Sequence, residues 1–164
     1  SRADRLRSML AETEADALLH STESVHWCFC DGDSSVVVAQ RFLILRRSDP
    51  DPAVAARAAH LLNHVVQGPP LRPVPARADA QDCDARVDAA LGREAEAYAL
   101  ELRIRDALHA GPSEYEFETA YRRDADVGAI AVYLRTHPDG APGLDGLASA
   151  YRRVCESEVS RVPR

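Results

Sequence analysis

Between Ser35 and Arg47 the chain is almost continuously apolar and rich in β-branched residues: Val36-Val37-Val38, then Phe42-Leu43-Ile44-Leu45. A run of this kind, bounded by turn residues, belongs in a sheet with its faces covered rather than on a helix facing water. It reads as one long central strand, or as a pair broken near Gln40-Arg41. Val36, Val38, Phe42 and Ile44 are the expected core residues.

The flanking patterns decide what can cover such a strand. Leu6, Met9 and Leu10 recur at helical spacing and predict an opening helix over 3–15. Asp16 to His20 reads as a short buried strand. Val25 to Cys30 reads either as a strand, with Val25, Trp27 and Phe29 on one side and His26, Cys28 and Cys30 on the other, or as a helical turn. Asp31-Gly32-Asp33-Ser34 reads as a hairpin turn; its carboxylates could hold a cation, but the ligand loop of a calcium hand is absent. Pro52 suits the start of a helix running to Gln67, with Val54, Ala58, Leu61, Leu62 and Val65 as its apolar side and Gly68 as its stop. Four prolines within 68–82 mark a linker or irregular edge.

Asp84 begins a long helix ending near His109, with Leu91, Ala95, Tyr98 and Leu102 on one face and Glu101 paired to Arg105. Ser113 and Glu116 match a capping box that restarts a helix after Pro112. The acidic Glu114, Glu116 and Glu118 suit its first turn. Phe117 and Tyr121 carry on its apolar face; 127–134 fits helix or strand, Pro138-Asp139-Gly140 a turn, and Leu144–Ser160 a last helix on Leu147, Tyr151 and Val154. The fold class is therefore α/β, a small mixed sheet with packed helices and a helical C-terminal half. It forms one domain over 1–164: a sheet-containing part to about 68, a proline-rich linker over about 69–82, and a helical part over about 83–160.

Charge excludes some functions. The net charge is −6, and all 20 basic residues are arginine. The absence of lysine rules out Schiff-base chemistry, and the scattered arginines form no stripe able to bind nucleic acid. No apolar stretch approaches the ~18 residues of a membrane span. Without an export signal, the four cysteines read as reduced thiols of a cytoplasmic protein.

Two stretches resemble a known family. Arg5-Leu6-Arg7-Ser8-Met9-Leu10 through Asp16-Ala17-Leu18-Leu19 and Ser21-Thr22-Glu23-Ser24-Val25 is similar to the opening of the N-terminal domain of creatinase and aminopeptidase P ("pita-bread") proteins. Glu94 to Glu118 resembles the first helix and turn of that family's catalytic domain. The dinuclear-metal ligands the family carries have no counterpart after Gly128. The resemblance thus implies the N-terminal domain's fold, with its role in subunit contacts, and not the peptidase chemistry.

The residues best suited to chemistry are His26, Cys28, Cys30, His60 and His64. His60 and His64, four apart on a helix, put two imidazoles on one face and could share a metal. Against this, Arg57 and Gln67 on that face read as a plain solvated surface. His26, Cys28 and Cys30 share one face of a strand and could complete the ligand set, or a thiol could act as nucleophile beside an imidazole. Cysteines in such a strand are otherwise ordinary core residues. No cofactor is specified, zinc or another transition metal being the candidate. The functional reading is a non-catalytic domain that binds a small ligand, a peptide or a protein, and assembles as a homodimer. The alternative is a small enzyme of specialised metabolism using the His/Cys site, with or without a metal.

Overall fold

The computed structural model describes residues 1–37, 41–69, 71–72, 82–137 and 146–161. These form a small three-stranded mixed sheet and seven helices, an α/β fold with a helical C-terminal half. The chain divides into two compact units, one of residues 1–69 and 97–113, the other of 70–96 and 114–164.

The first unit opens with α1 (Arg2–Ala11), capped by the Ser1 hydroxyl, which accepts from the Asp4 amide. Leu6 and Leu10 are its buried face. The strand expected at 16–20 is instead α2 (Asp16–Ser21). Its polar side chains bond to carbonyls one turn back: Ser21 Oγ donates to Ala17 O at 3.0 Å, and His20 Nδ1 lies 2.9 Å from Asp16 O. Two leucines on so short a segment satisfy a helix as well as a strand.

Strands β1 (His26–Cys30), β2 (Ser35–Val37) and β3 (Phe42–Arg46) form a sheet of order β1-β3-β2. The apolar run is thus a pair of strands, with β3 central, parallel to β1 and antiparallel to β2. Residues 31–34 are therefore not a hairpin turn; they carry the chain from one edge strand to the other, past the end of β3. Ser34 Oγ accepts from the Arg46 amide at 3.0 Å, satisfying a donor at that end of the central strand.

The side of the sheet that meets the core differs from the expected one. Leu43 and Leu45 are fully buried, with Trp27, Phe29 and Val36 packed against the same cluster. Phe42 and Ile44 are only half-buried, and Val38 lies outside the described residues.

Helix α3 (Asp51–Gln67) begins where Pro52 predicts and ends before Gly68, whose φ of 85° suits a residue without Cβ. Its first-turn Asp51 carboxylate accepts from Arg5 and Arg2, which hold its pKa below the ordinary value. Ala55, Ala56, Ala58 and Ala59 are all fully buried. Small side chains let α3 approach β3, α1 and α2 closely. Residues 97–107 of α4 (Asp82–Ala107) complete this unit, with Leu100 and Ile104 in its core.

The second unit holds the first part of α4 with α5 (Glu118–Asp124), α6 (Val127–Thr136) and α7 (Leu147–Arg161). The capping box expected at Ser113 starts no helix; α5 begins at Glu118, after a turn at 116–117. Residues 127–136 are helical, with Asp126 Oδ1 capping the Gly128 amide at 2.8 Å. In α7 Cys155 is buried, while Val154 is exposed. Cys155 forms a disulfide with Cys83 at the start of α4, so these two are not the free thiols expected. The expected turn at Pro138-Asp139-Gly140 and most of the proline-rich linker lie outside the described residues. No helix among the described residues is long and apolar enough to cross a membrane.

Candidate metal centre

The i, i+4 spacing of His60 and His64 on α3 brings the two rings together, as expected. Their centroids are 4.9 Å apart, and His64 Nε2 lies 3.1 Å from His60 Nε2. The solvated face expected for this pair is not what forms. His60 is 2% exposed and His64 3%. The cause is α4, whose Tyr98 ring packs edge-on against His60 at 4.4 Å.

Below the pair sits Glu101, 2% exposed. Its Oε2 lies 3.2 Å from His60 Nδ1 and 3.1 Å from Arg57 Nη1. Glu101 therefore bonds across to α3 rather than to Arg105 on its own helix; Arg105 instead donates to the carbonyls of Gly111 and Pro112. Burial alone would push the Glu101 carboxyl up. The Arg57 charge and the His60 hydrogen bond outweigh it and hold the group down at about 2. Arg57 also lies over the Tyr98 ring, 5.8 Å from its centre.

These contacts assign roles to the ring nitrogens. A carboxylate only accepts, so His60 Nδ1–H donates to Glu101. A neutral His60 ring then carries a lone pair on Nε2, the atom facing His64. Two metal–nitrogen bonds of about 2.0–2.1 Å at a tetrahedral angle separate their nitrogens by roughly 3.3 Å. The observed 3.1 Å is close to that separation. A carboxylate behind a ligating imidazole is also the usual means of fixing its tautomer and raising its basicity. His60 and His64 thus offer two buried nitrogens at a separation that one metal ion could bridge.

The β1 residues are placed differently. His26 and Cys28 are exposed and Cys30 is half-buried; Cys28 and Cys30 are free thiols. They share the sheet face opposite Trp27 and Phe29, as alternation predicts. Among the described residues, neither they nor His26 enter a group of three or more ligand atoms within 4.8 Å of one another.

Sequence reasoning missed Glu101, Arg57 and Tyr98. A signal was present: Glu101 sits beside Leu102 and three residues after Tyr98, inside the stripe assigned to the core. A carboxylate there is either paired or prohibitively costly. Glu94 stands in the same relation, seven residues before Glu101, and is also buried; its Oε1 accepts from the Tyr151 hydroxyl at 2.5 Å. In comparisons with known proteins, the chain matches no family model, no curated protein and no solved structure.

Proposed function

We propose that this chain is a non-catalytic, metal-binding protein in which His60 Nε2 and His64 Nε2 share one zinc-class ion. Glu101 accepts from His60 Nδ1 and holds that ring with its Nε2 towards the ion. The single observation that carries the reading is the 3.1 Å approach of two buried Nε2 atoms, one of them backed by a carboxylate. Burial of both imidazoles favours a binding role over an enzymatic one, because substrate must reach a catalytic ion. Imidazole nitrogens suit zinc better than calcium or magnesium, which take oxygen ligands.

Protein stripped with a chelator and titrated with Zn²⁺ should bind one equivalent and melt at a higher temperature. His60→Ala and His64→Ala should each weaken binding at least about 100-fold, since each removes a ligand. Glu101→Gln should weaken it by about 10–100-fold through orientation of His60. Absence of stoichiometric binding by folded wild-type protein would overturn the proposal, as would binding unchanged in both histidine variants.

A further inference from the structure

A second feature of the first unit is independent of the histidine pair. A cleft of about 340 Å³ opens between α1 and α2, with Trp27 of β1 also lining it. That volume is at the lower end for small-molecule sites. The α1 side contributes Arg7 and Ser8; the α2 side contributes Asp16, Leu19 and, just beyond the helix, Glu23.

Arg7 is held in place yet left with donors to spare. Its guanidinium carbon lies 5.2 Å from the centre of the Trp27 ring, and its Nη2 donates to Val25 O at 3.0 Å. Among the described residues that is its one hydrogen bond, although a guanidinium carries five N–H groups. A planar fork fixed by an aromatic ring and a carbonyl is preorganised to take a carboxylate with two parallel hydrogen bonds. The opposite side carries the complementary charge. Asp16 Oδ1 is 3.6 Å from the exposed His20 ring, and Glu23 forms no ion pair among the described residues. Leu19 and Trp27 supply apolar surface for a hydrocarbon or aromatic body.

We propose that this cleft binds a small zwitterion of the amino-acid class. Its carboxylate meets the Arg7 guanidinium, its ammonium meets Asp16 and Glu23, and its apolar side chain lies against Leu19 and Trp27. A simple anion would satisfy Arg7 but sit beside two carboxylates. A simple amine would leave the Arg7 fork unused.

Trp27 is the chain's single tryptophan, so its fluorescence reports on the cleft without labelling. L-Leucine, L-phenylalanine and the other proteinogenic amino acids are the probes. At least one should change the emission saturably, with a Kd below about 1 mM. For leucine, 4-methylpentanoate and 3-methylbutylamine each keep one charge, and each should bind at least about tenfold more weakly. Arg7→Met keeps an apolar stem over Trp27 and should weaken binding at least about tenfold, with circular dichroism unchanged. Glu23→Gln, at an exposed position, should weaken it without touching the fold. Calorimetry provides a readout independent of Trp27. No saturable signal by either method from any amino acid would overturn the proposal, as would equal binding of leucine and its singly charged analogues.

Discussion

Leu43 and Phe42 are neighbours in β3 with opposite surroundings: Leu43 is fully buried and Phe42 half-buried. Leu43→Ala should therefore cost about 2–5 kcal/mol, since the removed atoms leave a cavity in a packed cluster. Phe42→Ala, although it deletes more atoms, should cost less, because its ring already meets water. Urea denaturation of both variants checks the order; a larger loss at Phe42 would place the core on the other face. The sequence made this strand visible but not its facing. Alternation identifies a face only when the two parities differ in polarity, and in Val36–Leu45 both are apolar. In β1 they do differ, Trp27 and Phe29 against His26, Cys28 and Cys30, and there the sorting read from the sequence matches the structure.

At the level of elements, α3 and the end of α4 are joined by a charged contact where the sequence suggested two separate polar surfaces. Glu101 holds its proton more weakly in the folded chain than unfolded, with a pKa of about 2 against an ordinary 4.5. A folded pKa below the unfolded one means that the unfolded chain takes up the proton first. The stability from this group is present above pH 4.5 and is lost as pH falls towards about 2. The full effect is on the order of 3 kcal/mol. Glu101→Gln should flatten the acid limb of the stability curve over that window, and an unchanged limb would show that Glu101 is not held by Arg57 and His60. The helices themselves were legible, because α3 and α4 are long and periodic. What faces them was not, since partners 41 residues apart, such as His60 and Glu101, leave no mark in local spacing. The short α2 fails for a related reason: two leucines in six residues fit either period, and the deciding bonds run to carbonyls one turn back.

For the molecule as a whole, the disulfide sets a constraint that composition concealed. Four cysteines in a chain long enough to bury a core gave no reason to expect a cross-link, and Cys83 and Cys155 stand 72 residues apart. Both are fully buried. Around them, Tyr151 bonds Glu94 and Arg152 pairs with Asp84, so the two helices already share polar contacts beside the cross-link. Closing a loop of that length restricts the unfolded chain and stabilises the fold by about 4 kcal/mol on the loop-entropy estimate. Reduction should loosen α7 and the start of α4, while the first unit, which contains neither of these cysteines, keeps its structure. Reduction should therefore lower the melting temperature, and the double variant Cys83→Ser, Cys155→Ser should melt where the reduced wild type does. Hydrogen exchange should then rise in α7 and at the start of α4 while β3 and α3 stay protected. Equal acceleration in β3 would show that the two units unfold as one; no change in melting on reduction would show that the cross-link contributes nothing to stability.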